Sequence, residues 1–243
     1  MLRRASAVTD PGARRTEIAH NLAGVRSRIE NACAAAGRPV DEVTLIGVTK
    51  FFPVSDAVFL AEAGVPDLGE SRDQEASAKA AEFSGLTDAA VTWHFIGRLQ
   101  TNKARSVARY ADLVHSVDRA ELAHALATGA ERAGRVLPIL VQLSLDGDAG
   151  RGGTDDLLRL ADEVAELPAL RLAGVMAIAP LDADPEPAFA ELARVAGRLR
   201  AAHPAARILS AGMSGDLEAA IAHGATHVRV GTALLGRRKQ TFR

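Results

Sequence analysis

The stretch Val43-Thr-Leu-Ile-Gly-Val-Thr-Lys-Phe-Phe-Pro53 decides how this chain is read. Its apolar first half has the look of a buried parallel strand. Its second half is Thr-Lys-Phe-Phe-Pro, where a doubly wound nucleotide-binding fold would carry a Gly-rich turn. A lysine therefore stands at a strand end, beside Val48 and Phe51. Lysine is scarce here: of 29 Lys plus Arg, only Lys50, Lys79, Lys103 and Lys239 are lysines. Two readings fit Lys50 from this run alone. It is a strand-end side chain reaching out to water, or an amine kept because it can lose its proton and attack a carbonyl, which a guanidinium cannot do.

Working outward, the same pattern of a short β-type run, a polar turn and an amphipathic segment recurs. Strands are predicted over 43–48, 67–69, 92–96, 112–116, 137–143, 172–176, 207–210 and 226–230. Helices are predicted over 54–64, 71–83, 101–110, 119–133, 154–166, 185–202 and 215–223. Eight βα steps in 243 residues predict an α/β fold, a single (β/α)8 TIM-type barrel, with an open doubly wound sheet as the alternative. An extra N-terminal helix is expected over 14–36, its stripe formed by Ile18, Leu22, Val25, Ile29 and Cys33 and its end marked by Gly37 and Pro39. Residues 1–13 have no period and read as a flexible tail. With no Pro/Gly/Ser linker, residues 14–243 are expected to form one domain.

Composition excludes several classes of function. A formal net charge of −1 gives no global field for nucleic acid or an anionic membrane. One cysteine rules out an internal disulfide framework, and its place in the helical stripe reads as a packed thiol. No apolar run approaches the roughly 18 residues of a membrane span, and the N-terminus lacks a signal-peptide core. The cytoplasm is the expected compartment. The seven histidines show no metal-ligand spacing with cysteine or carboxylates.

If the barrel closes, strand 8 lies beside strand 1, and reactive groups belong at the C-terminal strand ends. Strand 7 ends in Ser210-Ala-Gly-Met-Ser-Gly-Asp216 and strand 8 in Arg229-Val-Gly-Thr-Ala233. Each is a helix cap taken singly; together they offer N–H groups and hydroxyls for a phosphate facing Lys50. A lysine nucleophile beside a phosphate suggests pyridoxal 5′-phosphate or a sugar phosphate. Arg229 either donates to an unprotonated pyridine nitrogen, weakening the ring as an electron sink, or pairs with a carboxylate such as Glu70.

From about Arg14 to Arg237 the chain resembles the YggS/PROSC family of pyridoxal phosphate homeostasis proteins. The resemblance rests on Gly47-Val-Thr-Lys50 with Pro53, Gly69-Glu70 with Gln74-Glu75, Trp93-His-Phe-Ile-Gly97, and Leu99-Gln100 with Asn102-Lys103. It continues through Gly174-Val-Met-Ala-Ile178, Gly212-Met-Ser214 with Asp216, and Val228-Arg229 with Gly231-Thr232. It implies a barrel like the N-terminal domain of alanine racemase, with the cofactor held as a Schiff base on Lys50. By position, Ser214, Gly231 and Thr232 would hold the phosphate, Met213 would lie beside it, and Arg229 would face the pyridine nitrogen. His94 would line the pocket or serve as a buried structural histidine. Such proteins are regarded as buffering or delivering the cofactor without established catalysis; PLP-dependent apoenzymes are the implied partners and a monomer the expected state.

Two other functions compete: a PLP-dependent racemase or lyase, and a Schiff-base aldolase acting on a sugar phosphate. The one tyrosine, Tyr110, falls on a predicted outer helix, away from where a racemase base belongs. The chain also departs from the family pattern. Ser71 replaces the usual asparagine after Glu70, Ser144 another after strand 5, and Leu235 an aromatic; Phe51 and Phe52 replace the small residue and lysine that usually follow Lys50. These changes touch the cofactor's outer contacts, Ser71 among them. Gly147 to Gly153 lacks the Gly-Lys-Ser/Thr ending of a phosphate loop and reads as a mobile loop. Lys103 and Arg105 open a helix and read as a solvated face with some capacity for an anion or a partner.

Overall fold

The computed structural model describes residues 10–145, 152–180 and 183–237. Eight strands close into a barrel in chain order: β1 Thr44–Val48, β2 Asp67–Glu70, β3 Thr92–Phe95, β4 Leu113–Val117, β5 Leu137–Gln142, β6 Leu170–Met176, β7 Ile208–Ser210 and β8 His227–Val230. Every pair is parallel, and β1 completes the ring by pairing with β8, Ile46 opposite Arg229 and Gly47 opposite Val230. The predicted barrel is therefore the observed one. It forms because each crossover is an amphipathic helix that buries the outer strand face: α2 Val54–Glu62, α3 Asp73–Phe83, α4 Ala104–Tyr110, α5 Ala120–Arg132, α6 Leu157–Ala165, α7 Pro185–Ala202 and α8 Leu217–Ala222.

The N-terminal helix α1, Pro11–Ala35, starts earlier than the expected Arg14. Asp10 caps it by accepting from the N–H groups of Gly12 and Ala13, and Pro11 takes the first turn, where a missing N–H costs nothing. Asp10 to Ala13 thus belong to the helix rather than to a tail. Its stripe is as predicted: Ile18, Leu22, Val25, Ile29 and Cys33 are all buried. Each large apolar side chain of this kind contributes roughly 1.5–3 kcal/mol by leaving water. Burial also raises the Cys33 thiol's pKa, which keeps it protonated and inert.

Polar groups fasten α1 to the end of the chain. Arg14 grips the buried Asp56 and donates to the Leu235 carbonyl at 3.0 Å. Asn21 donates to the Leu234 carbonyl and Arg28 to the Ser214 carbonyl. These acceptors lie in or beside α9, Thr232–Leu235, a single turn too short to register in the sequence pattern. So the first helix braces the turns after β7 and β8 from outside.

The barrel interior is divided. Toward β4, β5 and β6 it is dry, filled by Leu113, Leu140, Ala173 and Met176. Toward β3, β4, β7 and β8 it holds buried polar groups: His94, His115, Ser210 and Arg229.

Candidate functional site

Lys50 comes two residues after β1 and lies half-buried at the C-terminal mouth of the barrel. The turn that presents it is unusual: Phe51 has φ 68°, the left-handed region, costly for a residue with a bulky side chain. Glu75 on α3 holds it there by accepting from the Phe51 N–H. The preceding residue is fixed as firmly. Thr49 is buried, its hydroxyl donating to Glu70 Oε1 at 2.7 Å. Lys79 Nζ donates to the Thr49 carbonyl at 2.7 Å and to Glu70 Oε1 at 2.5 Å. Burial raises the Glu70 carboxyl above its usual range while the Lys79 ammonium opposes that rise. Among the described residues Lys50 itself has no hydrogen bond or ion pair; its amine lies 6.0 Å from the Phe51 ring centroid.

The two late turns converge. Ser214 Oγ, after β7, accepts from the Ala233 N–H in the first turn of α9, 3.2 Å away. Gly212 has φ 86°, and a Cβ there would stand 2.6 Å from that of Ala220, so the turn fits against α8 only as glycine. Gly231 lies against Val48, with room for a Cβ only at 3.3 Å. This contact ties the cradle to the strand that carries Lys50. Met213 is half-buried, and its N–H is taken by Asp216 at 2.5 Å. Thr232 is exposed at the start of α9. Because α8 and α9 are so short, an anion here would be held by individual N–H and hydroxyl groups rather than by a macrodipole.

Arg229 is buried inside the barrel and donates to Ser210 Oγ at 2.7 Å and to the Ala177 carbonyl at 2.9 Å. It does not pair with Glu70, the carboxylate alternative raised by its spacing; Glu70 belongs to Lys79. Burial lowers the guanidinium to about 10, opposed by Asp216. Among the described residues two of its N–H groups have acceptors, out of the five a guanidinium carries.

Behind Arg229 runs a hydrogen-bonded chain that sequence reasoning missed. Ser210 Oγ lies 2.9 Å from His115 Nδ1, His115 Nε2 is 2.9 Å from His94 Nδ1, and His94 Nε2 is 2.9 Å from Asp67 Oδ1. Its direction is set by the donors. Arg229 donates to Ser210, so the serine O–H is free to donate to His115 Nδ1. Burial and the neighbouring His94 and Arg229 hold the His115 pKa well below its ordinary value, so its single proton sits on Nε2 and points to His94 Nδ1. His94 Nε2 then donates to the Asp67 carboxylate. His94, expected either at the cofactor or as a structural histidine, has both ring nitrogens occupied by protein and reaches Arg229 only through His115 and Ser210. The missed signal was polar residues at inward-facing positions of otherwise apolar strands.

Ser71 lies after β2 on the rim of a cavity over β2 to β4. Its backbone is packed against Gly97, where a Cβ would meet the Ser71 carbonyl at 2.2 Å. Tyr110 ends α4, its hydroxyl buried beside the Asp73 carboxylate; burial, with the Asp73 and Glu70 charges, pushes its phenol far above the usual range. Most of the 147–153 loop lies outside the described residues. No group of three or more His, Cys, Asp or Glu among the described residues could hold a metal ion.

Comparison with known proteins bears on the family and the fold. The profile of the alanine racemase N-terminal domain family matches residues 15–239. A Mycobacterium bovis protein named pyridoxal phosphate homeostasis protein is 48% identical, over 93% of this chain and 95% of its own length. A protein of the same name from Escherichia coli K12 is 39% identical, over 91% and 97%. The structure of PipY from Synechococcus elongatus, solved with PLP bound, superposes with a TM-score of 0.78 at 37% identity, covering 90% of this chain and all of that one. An alanine racemase from Clostridium difficile shares the fold, TM-score 0.70 at 16% identity, over 93% of this chain but 61% of the racemase.

Proposed function

Because the chain belongs to the pyridoxal phosphate homeostasis proteins of the alanine racemase N-terminal domain family, we propose that it binds pyridoxal 5′-phosphate on Lys50 and buffers or delivers it in the cell. When bound, the cofactor supplies an aldehyde carbon open to attack by an unprotonated amine. Lys50 is the covalent anchor. Ser214, Gly231 and Thr232 take the phosphate, with Met213 beside them, and Arg229 donates to the ring nitrogen. Ser71 borders the ring's outer side.

The observation that carries this reading is the hydrogen bond from Ala233 N–H to Ser214 Oγ, with Gly231 packed on Val48. It brings both late turns to the rim where Lys50 emerges. The residues present fit the group: glycine at 212 and 231 keeps the cradle open, and Arg229 retains free donors. The amine suits the role because no carboxylate among the described residues pins it as an ammonium.

Holding rather than turnover is favoured by two features. A guanidinium facing the pyridine nitrogen leaves that nitrogen unprotonated and weakens carbanion stabilisation. Tyr110 is half-buried on the outer shell, its hydroxyl enclosed and its pKa raised, unsuited to act as a base at the mouth. We place the protein in the cytoplasm as a monomer, serving PLP-dependent apoenzymes; its one thiol, Cys33, is buried and free.

The test is direct. Purified protein mixed with PLP should gain a visible absorption band. Borohydride reduction and then peptide mapping should find the label on the peptide holding Lys50, with Lys50→Ala colourless. A label elsewhere overturns the anchor. Solvent deuterium exchange at Cα of alanine or serine should not exceed that of Lys50→Ala.

A further inference from the structure

On the β2 to β4 side of the barrel mouth lies a cavity of about 610 Å³, of the size that holds small molecules. Four cationic side chains line it: Arg72, Arg98, Lys103 and Arg119. Some surface arginines elsewhere have carboxylate partners, Arg15 with Glu62, Arg28 with Glu218 and Arg159 with Glu163, and others, such as Arg26 and Arg207, donate to backbone carbonyls. Here, among the described residues, Arg72, Arg98 and Lys103 form no ion pair. Arg119 is anchored by Asp118, the Leu99 carbonyl and Thr101 Oγ1, which fixes its guanidinium at the wall.

Among the described residues, Asp73 is the one carboxylate on the lining. Its Oδ1 is buried on the side of Tyr110, whose phenol lies beside it and feels its charge. That oxygen faces into the protein, so Arg72, Arg98 and Lys103 keep no paired carboxylate at the opening, while Arg119 is matched by Asp118. A concave, low-dielectric wall focuses such a field and raises the local concentration of anions. The floor beneath is apolar, Phe95 and Leu99. Arg72 also lies over the Phe51 ring, 4.7 Å from its centroid, which connects this cavity to the turn that presents Lys50.

We propose that this cavity is a second anion site, separate from the cradle of β7 and β8, and that it takes a phosphorylated small molecule beside the Lys50 site. One carboxylate would leave most of this charge unmatched. A phosphate dianion offers three oxygens to guanidinium forks and an ammonium, the geometry that arginine clusters serve best. Inorganic phosphate, a phosphorylated metabolite and a phosphorylated cofactor in transit share that chemistry.

The experiment uses the full chain carrying Lys50→Ala, titrated with inorganic pyrophosphate at about 150 mM salt, the physiological ionic strength, and monitored by amide chemical shifts. Two separable responses are expected, one over 71–74, 98–103 and 119, the other over 213–215 and 231–232. Arg98→Gln with Lys103→Gln should weaken the first at least tenfold and leave the second unchanged; Ser214→Ala should do the reverse. Response at 213–232 alone, no effect of the double substitution, or shifts spread over Arg15, Arg28 and Arg159 overturns the proposal. Pyrophosphate carries no aldehyde, so failure of Lys50 as the cofactor's anchor leaves this result standing. Repeating the titration with inorganic phosphate and with glycerol 3-phosphate then separates a bare anion from an organic phosphate.

Discussion

Two lysines meet at the mouth of this barrel and are treated in opposite ways. Lys79 is buried on α3, its ammonium surrounded by the Thr49 carbonyl and the carboxylates of Glu70 and Glu75. Lys50, one peptide beyond Thr49, has no acceptor among the described residues. The first is a pin that fixes the backbone from which the second projects. A cation can be made structural by surrounding it with acceptors, or left available to react by withholding them, and the role proposed for Lys50 would set both side by side at this mouth.

The largest expected effect breaks the pin. Lys79→Met leaves Glu70 buried and unpaired and should cost about 3–5 kcal/mol in urea unfolding at pH 7. Adding Glu70→Gln should restore most of it, because the amide still accepts from Thr49 while the buried charge is gone. If the double variant is no better than the single one, the pair is not the unit that matters.

Acid should separate the two interiors of the mouth. The Glu70 pKa is raised in the folded state, so the folded protein binds that proton more readily than the unfolded chain and acid does not attack the pin. His115 and His227 are lowered, His227 to about 4. The unfolded chain therefore binds more protons between pH 6.5 and about 4, and stability is lost as pH falls through that window, by roughly 3 kcal/mol from His227 alone. His227→Gln should flatten the acid limb; Glu70→Gln should not.

Smaller effects probe the turn. Phe51→Gly should relieve left-handed strain, shifting stability by no more than about 1 kcal/mol, while reducing aldehyde capture by removing the ring under Arg72. Lys50→Ala should change unfolding stability least, within about 0.5 kcal/mol, and abolish capture altogether. Large stability loss in that variant would mean the amine is structural after all.

Much of this was legible in the sequence for a physical reason. Parallel strands buried on both faces are written as unbroken apolar runs, and the crossover helices carry a clear stripe, so the eight steps and the Lys50 turn could be read directly. Single-turn elements could not, since the helix at 40–42 and α9 are too short to show a period. Lys79 was passed over because Glu75 and Lys79 at i, i+4 look like an ordinary surface pair; only the barrel shows that α3 turns this face inward. The chain from Asp67 to Arg229 draws one residue from each of five strands, and no local spacing predicts which inward residues share a layer. The cationic cavity has the same origin, with contributions from three separate loops.

The clasp between α1 and the turns at 214 and 234–235 joins residues 186 to 221 positions apart in the chain. During synthesis the amine of residue 50 leaves the ribosome long before residues 210–235, which supply the seat of the first helix and, on the proposed reading, the grip on the cofactor's phosphate. Until those residues emerge, α1 lacks much of its docking surface and the amine is an ordinary solvent-exposed lysine. If the proposed site is right, loading with the vitamin-derived aldehyde follows synthesis of the whole barrel, and a chain truncated before residue 230 should never become a competent carrier.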